Sequence, residues 1–210
     1  MSRLELITYP AGPIETNGFL VIDPGRNEAL IIDAPSGFAT DVVRDVQERG
    51  VTVTAIVITH GHWDHIGDTA ELKRQLGAPV LAHSITSEKL EQPGSAVMTL
   101  PVDIEPSVAD QFLNDGDTVT LGSHTFAVWF LPGHDPGHIA LVSEVDEMVL
   151  GGDVLFPNGH GRIDIPGADA AQMQQSLSRL AGLADNVTVY PGHGLPTTIG
   201  QERGWLPRES

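Results

Sequence analysis

Cysteine is missing from this 210-residue chain. That excludes disulfides, thiolate metal sites, iron–sulfur clusters and cysteine nucleophiles together. Basic residues are scarce: 11 Lys+Arg stand against 28 Asp+Glu, for a formal net charge of -17. Nucleic acid and anionic lipid surfaces are bound by clustered Lys and Arg, so neither nucleic acid nor a membrane is an expected partner. Long apolar runs are lacking too. A run such as 127–131 is far below the roughly 20 residues of a membrane span. The amino terminus has no basic start leading into an apolar stretch, so no signal peptide is read there and the expected location is the cytoplasm. What is present is a hydrophobic content of 40%, enough for a sizeable core, and nine histidines. The length fits one domain, 1–210, made of two pseudo-equivalent halves of approximately 1–110 and 111–210.

Strand-like and helix-like segments alternate. Residues 4–8, 19–22 and 29–32 read as short strands, the last two joined by the turn Asp23-Pro24-Gly25. Phe38, Val42 and Val46 recur four apart, which predicts a helix stopped by Gly50. Segment 53–59 is apolar at nearly every position, as in a strand buried on both faces. A helix over 69–76, ended by Gly77, and a strand at 80–82 follow. Residues 91–110 carry three prolines and little pattern and read as a loop between the halves. Strands resume at 118–121, 125–131, 139–143 and 148–150. Met173, Leu177, Leu180, Ala181 and Ala184 then form a helical stripe before a last strand at 187–190, and the tail from Thr197 reads as a short terminal helix.

Four strands end in side chains able to bind metal. Leu131-Pro132-Gly133 leads to His134, Leu150-Gly151-Gly152 to Asp153, Tyr190-Pro191-Gly192 to His193, and Ile58-Thr59 to His60. Loops just past strand ends are where sheet scaffolds hold their sites. The decisive segment is His60-Gly61-His62-Trp63-Asp64-His65. At this chain's own His and Asp frequencies, H-x-H-x-D-H arises by chance in about one chain in a thousand. Imidazole and carboxylate bind zinc, iron and manganese. Four such groups cannot all reach one ion without strain, so two neighbouring ions fit better: His60 and His62 on one, Asp64 and His65 on the other. His134, Asp153 and His193 are candidates to complete them, with Asp153 as the natural bridge. His138 stands as a supporting residue behind the ligands or as a cap on the next strand. His160 lines the site's mouth or is simply exposed. Trp63 reads as a packing residue, and His83 and His124 as ordinary polar residues.

These residues resemble the metallo-β-lactamase superfold. The signature at 60–65 is followed in order by His134, Asp153 and His193, and the likeness covers most of the chain. Leu131-Pro132-Gly133-His134-Asp135-Pro136-Gly137-His138, Gly152-Asp153-Val154-Leu155-Phe156 and the segment from Gly161 to Asp164 resemble the hydroxyacylglutathione hydrolase (glyoxalase II) group. The tail resembles its short, single-domain members. The sequence departs from the group's pattern in four places. Leu131 and Asp135 replace threonines, His160 replaces a serine, and Gly204-Trp205-Leu206-Pro207 replaces Arg-Asn-Pro. The full-length hydrolases add a helical domain that grips glutathione, whereas 17 residues follow His193 here.

The resemblance implies an α/β fold, an αββα sandwich of two mixed β-sheets flanked by helices. It implies His60, His62 and His134 on one ion, Asp64, His65 and His193 on the other, and Asp153 between them. It also implies two divalent ions, zinc first, with iron or manganese as alternatives. The expected activity is hydrolysis of a thioester or related activated ester by a metal-bound hydroxide, with Asp64 positioning the nucleophile. The expected partner is a small molecule such as a glutathione thioester. Arg162 is the candidate substrate-binding cation, unless it is taken up by Asp164 or Asp169. Two other readings share the motif: a persulfide dioxygenase with one iron, and a non-catalytic metal-binding protein. A lactonase or β-lactamase has no distinguishing residue in the sequence.

Overall fold

The continuously apolar segment 53–58 sends alternate side chains into two different cores, because successive residues of a strand face opposite sides. In the computed structural model, which describes residues 3–94 and 100–207, Ala55 and Val57 point between two sheets while Ile56 and Ile58 point outward to helices. The first sheet runs β1 (Glu5–Ala11), β2 (Thr16–Asp23), β3 (Glu28–Ile32), β4 (Thr52–Ile58), β5 (Val80–Ala82) and β6 (Gln111–Phe112), in that order across the sheet. Its first two pairings are antiparallel and the rest parallel. Between these strands lie α1 (Phe38–Arg49), α2 (Trp63–Ile66), α3 (Thr69–Leu76) and α4 (Ser84–Glu91).

The second sheet is also mixed. Its members are β7 (Thr118–Leu121), β8 (His124–Phe130), β9 (Ile139–Ser143), β10 (Met148–Gly152), β13 (Thr188–Pro191) and β14 (Thr197–Thr198), in the spatial order β14-β13-β10-β9-β8-β7. Only β10 and β13 pair in parallel. A small hairpin, β11 (Leu155–Phe156) with β12 (Gly159–His160), precedes α5 (Ala170–Ala181), and α6 (Ile199–Glu202) follows β14.

Three apolar layers hold this αββα sandwich. Phe19, Val21, Leu141, Leu150 and their neighbours fill the space between the sheets. Phe38, Val42 and Val46 of α1 and Leu72 of α3 cover the outside of the first sheet. Met173, Leu177, Leu180 and Ala181 of α5 cover the second. Burying a side chain of this size contributes roughly 1.5–3 kcal/mol, so the three stripes dominate the stability of the arrangement.

The structure departs from the sequence expectations in several places. The helical stripe ends at Ala181: Ala184 lies exposed beyond α5, and Leu183 fills the core instead. Residues 197–198 pair as β14, so the terminal helix starts at Ile199. Residues 84–91, given no element by the sequence reading, form α4. Part of the connecting segment, 95–99, lies outside the described residues. Among the described residues, no helix is long and apolar enough to cross a membrane.

Candidate metal centre

β4, β8, β10 and β13 deliver their following residues to one edge of the sandwich. After β4 the chain passes through Thr59 and His60, and His62 stays extended (φ -72, ψ 145) as the N-cap of α2. The single turn of α2 brings Asp64 and His65 back beside His60, whose ring lies 4.0 Å from that of His65. Past β13, Gly192 lets the backbone pass close to the cluster. A Cβ at this position would lie 2.2 Å from Asp153 Oδ1 and 2.6 Å from His65 Cε1, so only glycine fits.

All seven expected ligands converge. Ligand atoms of His60, His62 and His134 lie within 4.8 Å of one another, and so do those of Asp64, His65 and His193. Asp153 stands between the groups: Oδ1 is 3.4 Å from His65 Nε2, and Oδ2 is 3.4 Å from His134 Nε2 and 3.5 Å from His193 Nε2. Asp64 Oδ2 approaches His193 Nε2 at 3.2 Å and His65 Nε2 at 3.3 Å.

Each imidazole is anchored from behind. The Nδ1 of His65 donates to Asp33 Oδ2 at 2.8 Å, that of His134 to the Arg162 carbonyl at 2.9 Å, and that of His193 to the Ile14 carbonyl at 3.3 Å. His60 Nδ1 lies 3.1 Å from Thr59 Oγ1, which itself donates to Asp33 Oδ2 at 2.8 Å. These contacts set the tautomer and leave Nε2 lone pairs facing the cluster. His62 is the other way round: its Nδ1 lies 3.0 Å from His60 Nε2, and its Nε2 faces Asp135 Oδ2 at 3.6 Å. Asp64 Oδ2 accepts from the Thr16 hydroxyl at 2.8 Å, and His138 Nε2 accepts from the Asp153 backbone N–H at 3.0 Å.

The electrostatics divide the cluster in two. Burial, joined by neighbouring imidazoles, holds His60 well below the ordinary histidine range and lowers His62 to about 4 and His138 to about 3. These rings are neutral, as metal binding requires. Burial acts to raise the carboxyl of Asp153, but the imidazoles of His65, His193 and His134 outweigh it and bring it to about 2. Asp64 is lowered in the same way, by His65 and His193 together with its hydrogen bond from Thr16. For His65, burial acts to lower the pKa and the carboxylates of Asp153, Asp33 and Asp64 raise it beyond that. His193 is likewise raised, its burial outweighed by Asp64 and Asp153.

The donor set fits a cation. His65 Nε2, His134 Nε2 and Asp153 Oδ1 are buried and lack a hydrogen-bond partner. Unpartnered polar atoms are costly in an interior, and these three belong to the groups that converge. A cation there would satisfy all of them and sit among the carboxylates that raise His65 and His193.

Over the cluster opens a cavity of about 650 Å³. Ile14, Trp63, Ile104 and Phe156 form apolar parts of its wall, with Lys89, His160 and Arg162 among its polar residues. His160 thus lines the mouth, and half-buried Trp63 faces the cavity. The Arg162 guanidinium forms a surface pair with Asp164 at 2.8 Å. His83 and His124 stand outside the cluster. The first caps α4, and the second is buried with its Nδ1 2.8 Å from Asp146 Oδ1.

Sequence reasoning missed Asp33, Thr16, Asp135 and Lys89 as neighbours of the cluster. Asp33 carried one signal: an acidic residue directly after a strand, in a setting where a non-glycine residue at φ 58 is favoured as Asp or Asn.

Known proteins share this fold. The sequence matches the metallo-β-lactamase superfamily over residues 11–193. It is 31% identical over 205 residues to the hydroxyacylglutathione hydrolase GloC of Haemophilus influenzae, covering 96% of this chain and 95% of that protein. The fold superposes on the crystal structure of the BLEG-1 B3 metallo-β-lactamase with a TM-score of 0.87 at 32% identity, covering 97% of this chain and 98% of the other. A second crystal structure, TTHA1623 in a di-iron-bound form, gives a TM-score of 0.78 at 33% identity over 96% and 98% of the two chains. With the family matched over residues 11–193 and the fold shared at a TM-score of 0.87, the chain belongs to the metallo-β-lactamase superfamily.

Proposed function

We propose that this chain is a metal-dependent hydrolase of thioesters or related activated esters, similar in activity to glyoxalase II. The observation that carries the reading is the convergence of five imidazoles and two carboxylates, with buried unpartnered atoms among them, at the floor of a cavity large enough for a small molecule. His60, His62 and His134 would hold one ion and Asp64, His65 and His193 the other, with Asp153 standing between the two groups. The nitrogen and oxygen donors suit zinc first, with iron or manganese as alternatives, and a relative bound to two irons supports the pairing of ions. When bound, such ions supply Lewis acidity toward a carbonyl oxygen and bring water deprotonation close to neutral pH.

The chain's own residues do the rest. Asp64, fixed by the Thr16 hydroxyl, would position the attacking water, whose oxygen joins the acyl carbon while its proton passes to the departing thiolate, so that acid and thiol leave together. His138 fixes the backbone that carries Asp153. Trp63, Ile104 and Phe156 enclose the acyl group and keep bulk water from it. Arg162 is the exchangeable cation at the mouth: an anionic leaving group replaces Asp164 at the small cost of a surface ion pair. The name of the Haemophilus relative supports a glutathione thioester as substrate, and such a substrate fits a cytoplasmic enzyme, because glutathione keeps thiols reduced in that compartment.

The test joins metal analysis of the purified protein to hydrolysis of S-lactoylglutathione, a lactone and a β-lactam. Two ions per chain with preferred thioester cleavage is the expected result. One iron per chain with oxygen uptake on glutathione persulfide would replace the hydrolase by a dioxygenase. No turnover of any substrate by the metal-loaded protein would leave a non-catalytic metal-binding protein.

A further inference from the structure

Four of the five imidazoles in the cluster are anchored through Nδ1, by Asp33, Thr59, the Arg162 carbonyl and the Ile14 carbonyl. His62 alone presents Nδ1 inward, so its anchor has to stand at Nε2. The group found there is Asp135, whose Oδ2 lies 3.6 Å away. Asp135 is fully buried. Its Oδ1 accepts the Gly137 backbone N–H at 2.8 Å, and its Oδ2 pairs with the Lys89 ammonium. A buried carboxylate is costly unless it is paired and hydrogen-bonded, and this chain supplies both partners.

Lys89 reaches Asp135 only because residue 61 has no side chain. A Cβ on Gly61 would lie 2.4 Å from Lys89 Cδ and 2.9 Å from Lys89 Cβ, so the lysine stem occupies the space over the turn between His60 and His62. The helix that carries Lys89 is tied to the same loop as Asp135: Thr86 Oγ1 donates to the Gly137 carbonyl at 3.1 Å. Helix α4, the His60–His62 turn and the loop after His134 therefore meet at one carboxylate.

We infer that Asp135 and Lys89 are positioning residues for the ion held by His60, His62 and His134. The Asp135 carboxylate favours the His62 tautomer with hydrogen on Nε2 and the lone pair on Nδ1, and Lys89 fixes the carboxylate in place. The inference rests on the metal-binding reading above and extends it to two residues that touch no ion. Removing a partner that orients a metal-bound histidine weakens binding by about 10–100-fold, and the loss here falls on one ion of the two.

The experiment follows cobalt and zinc release from the holo-protein under chelator competition, with thermal melts of the metal-free proteins alongside. For Asp135→Asn, one of the two dissociation constants rises by about tenfold or more, while the other and the metal-free melting temperature stay at wild-type values. Lys89→Met, which leaves the carboxylate without its anchor, shows a smaller loss at the same ion. Two unchanged constants in Asp135→Asn overturn the inference. So do parallel losses at both ions with a lowered metal-free melting temperature, which mark a structural role. If Asp135→Asn does not fold, wild-type affinity at both ions in Lys89→Met overturns it. A wild-type protein that binds no ion removes the metal reading instead, so the two failures are distinct.

Discussion

The two sides of the cluster are built on different principles. His60, His62 and His134 offer three nitrogens and no carboxylate, and burial holds His60 and His62 neutral. Asp64, His65 and His193, with Asp153 beside them, place two carboxylates among imidazoles whose pKa values those carboxylates raise. On the metal-binding reading proposed above, the first side would select a cation through lone-pair geometry and the second through charge. The difference teaches that one fold edge can gather two ligand groups of unlike charge, with Asp153 standing between them.

The largest effect should come from breaking that common element. Asp153→Ala is expected to lower both metal contents and to reduce turnover by about three orders of magnitude, the scale of removing a principal transition-state contact. Metal analysis and thioester hydrolysis check it. His62→Ala and Asp64→Ala should each abolish most activity with the fold largely kept, but His62→Ala should deplete the nitrogen side and Asp64→Ala the carboxylate side. Equal depletion of both ions in either variant would erase the distinction.

A smaller effect is expected behind the carboxylate side. Asp33→Asn retains a residue type tolerated at φ 58 but exchanges one acceptor oxygen for a donor. The bonds from the Thr59 N–H at 2.7 Å, the Thr59 hydroxyl and His65 cannot then all survive. Metal affinity should fall about 10–100-fold and stability by about 1–3 kcal/mol, read from chelator titration and urea unfolding. Arg162→Ala should raise KM for an anionic thioester several-fold with kcat unchanged. The Arg162 carbonyl, which anchors His134, is backbone and stays in place.

The smallest effect serves as a control remote from both sides. Glu202 is buried, and burial acts to raise its carboxyl. The hydrogen bonds from Thr197, Trp205 and the Asn158 N–H outweigh this and depress it. A depressed carboxylate contributes stability above the unfolded glutamate pKa of about 4.3, and that contribution is lost as pH falls through the folded value. Glu202→Gln should therefore destabilise the protein by about 1 kcal/mol at neutral pH, with less difference from wild type in acid and metal content unchanged. Urea midpoints across pH test the sign.

Much of this was legible in the sequence because the signals were local. The continuous apolar run of β4, the Phe38/Val42/Val46 stripe and the six-residue motif each lie within a short stretch of chain. What escaped depends on partners far apart in the chain or on elements too short for a period. α2 has four residues, fewer than are needed to show a helical repeat. α4 buries only Thr86, Ser87 and Leu90, and an imidazole caps it in place of the usual Ser or Asp. Asp33 meets His65, and Lys89 meets Asp135, only through the tertiary fold. The departure at position 135 was visible as a residue, but its meaning required the lysine.

The ligands come from both sheets: His60, Asp64 and His65 follow β4, while His134, Asp153 and His193 follow strands of the second sheet. A cation gripped from both sides closes long stretches of the chain as a cross-link does, in a protein without cysteine. Unfolding has to release it, so free metal at about a hundred times its dissociation constant adds about 2.7 kcal/mol per ion. On the metal-binding reading proposed above, metal supply would govern how long the folded chain survives proteolysis as well as how fast it works. A starved cell would lose the protein along with its activity.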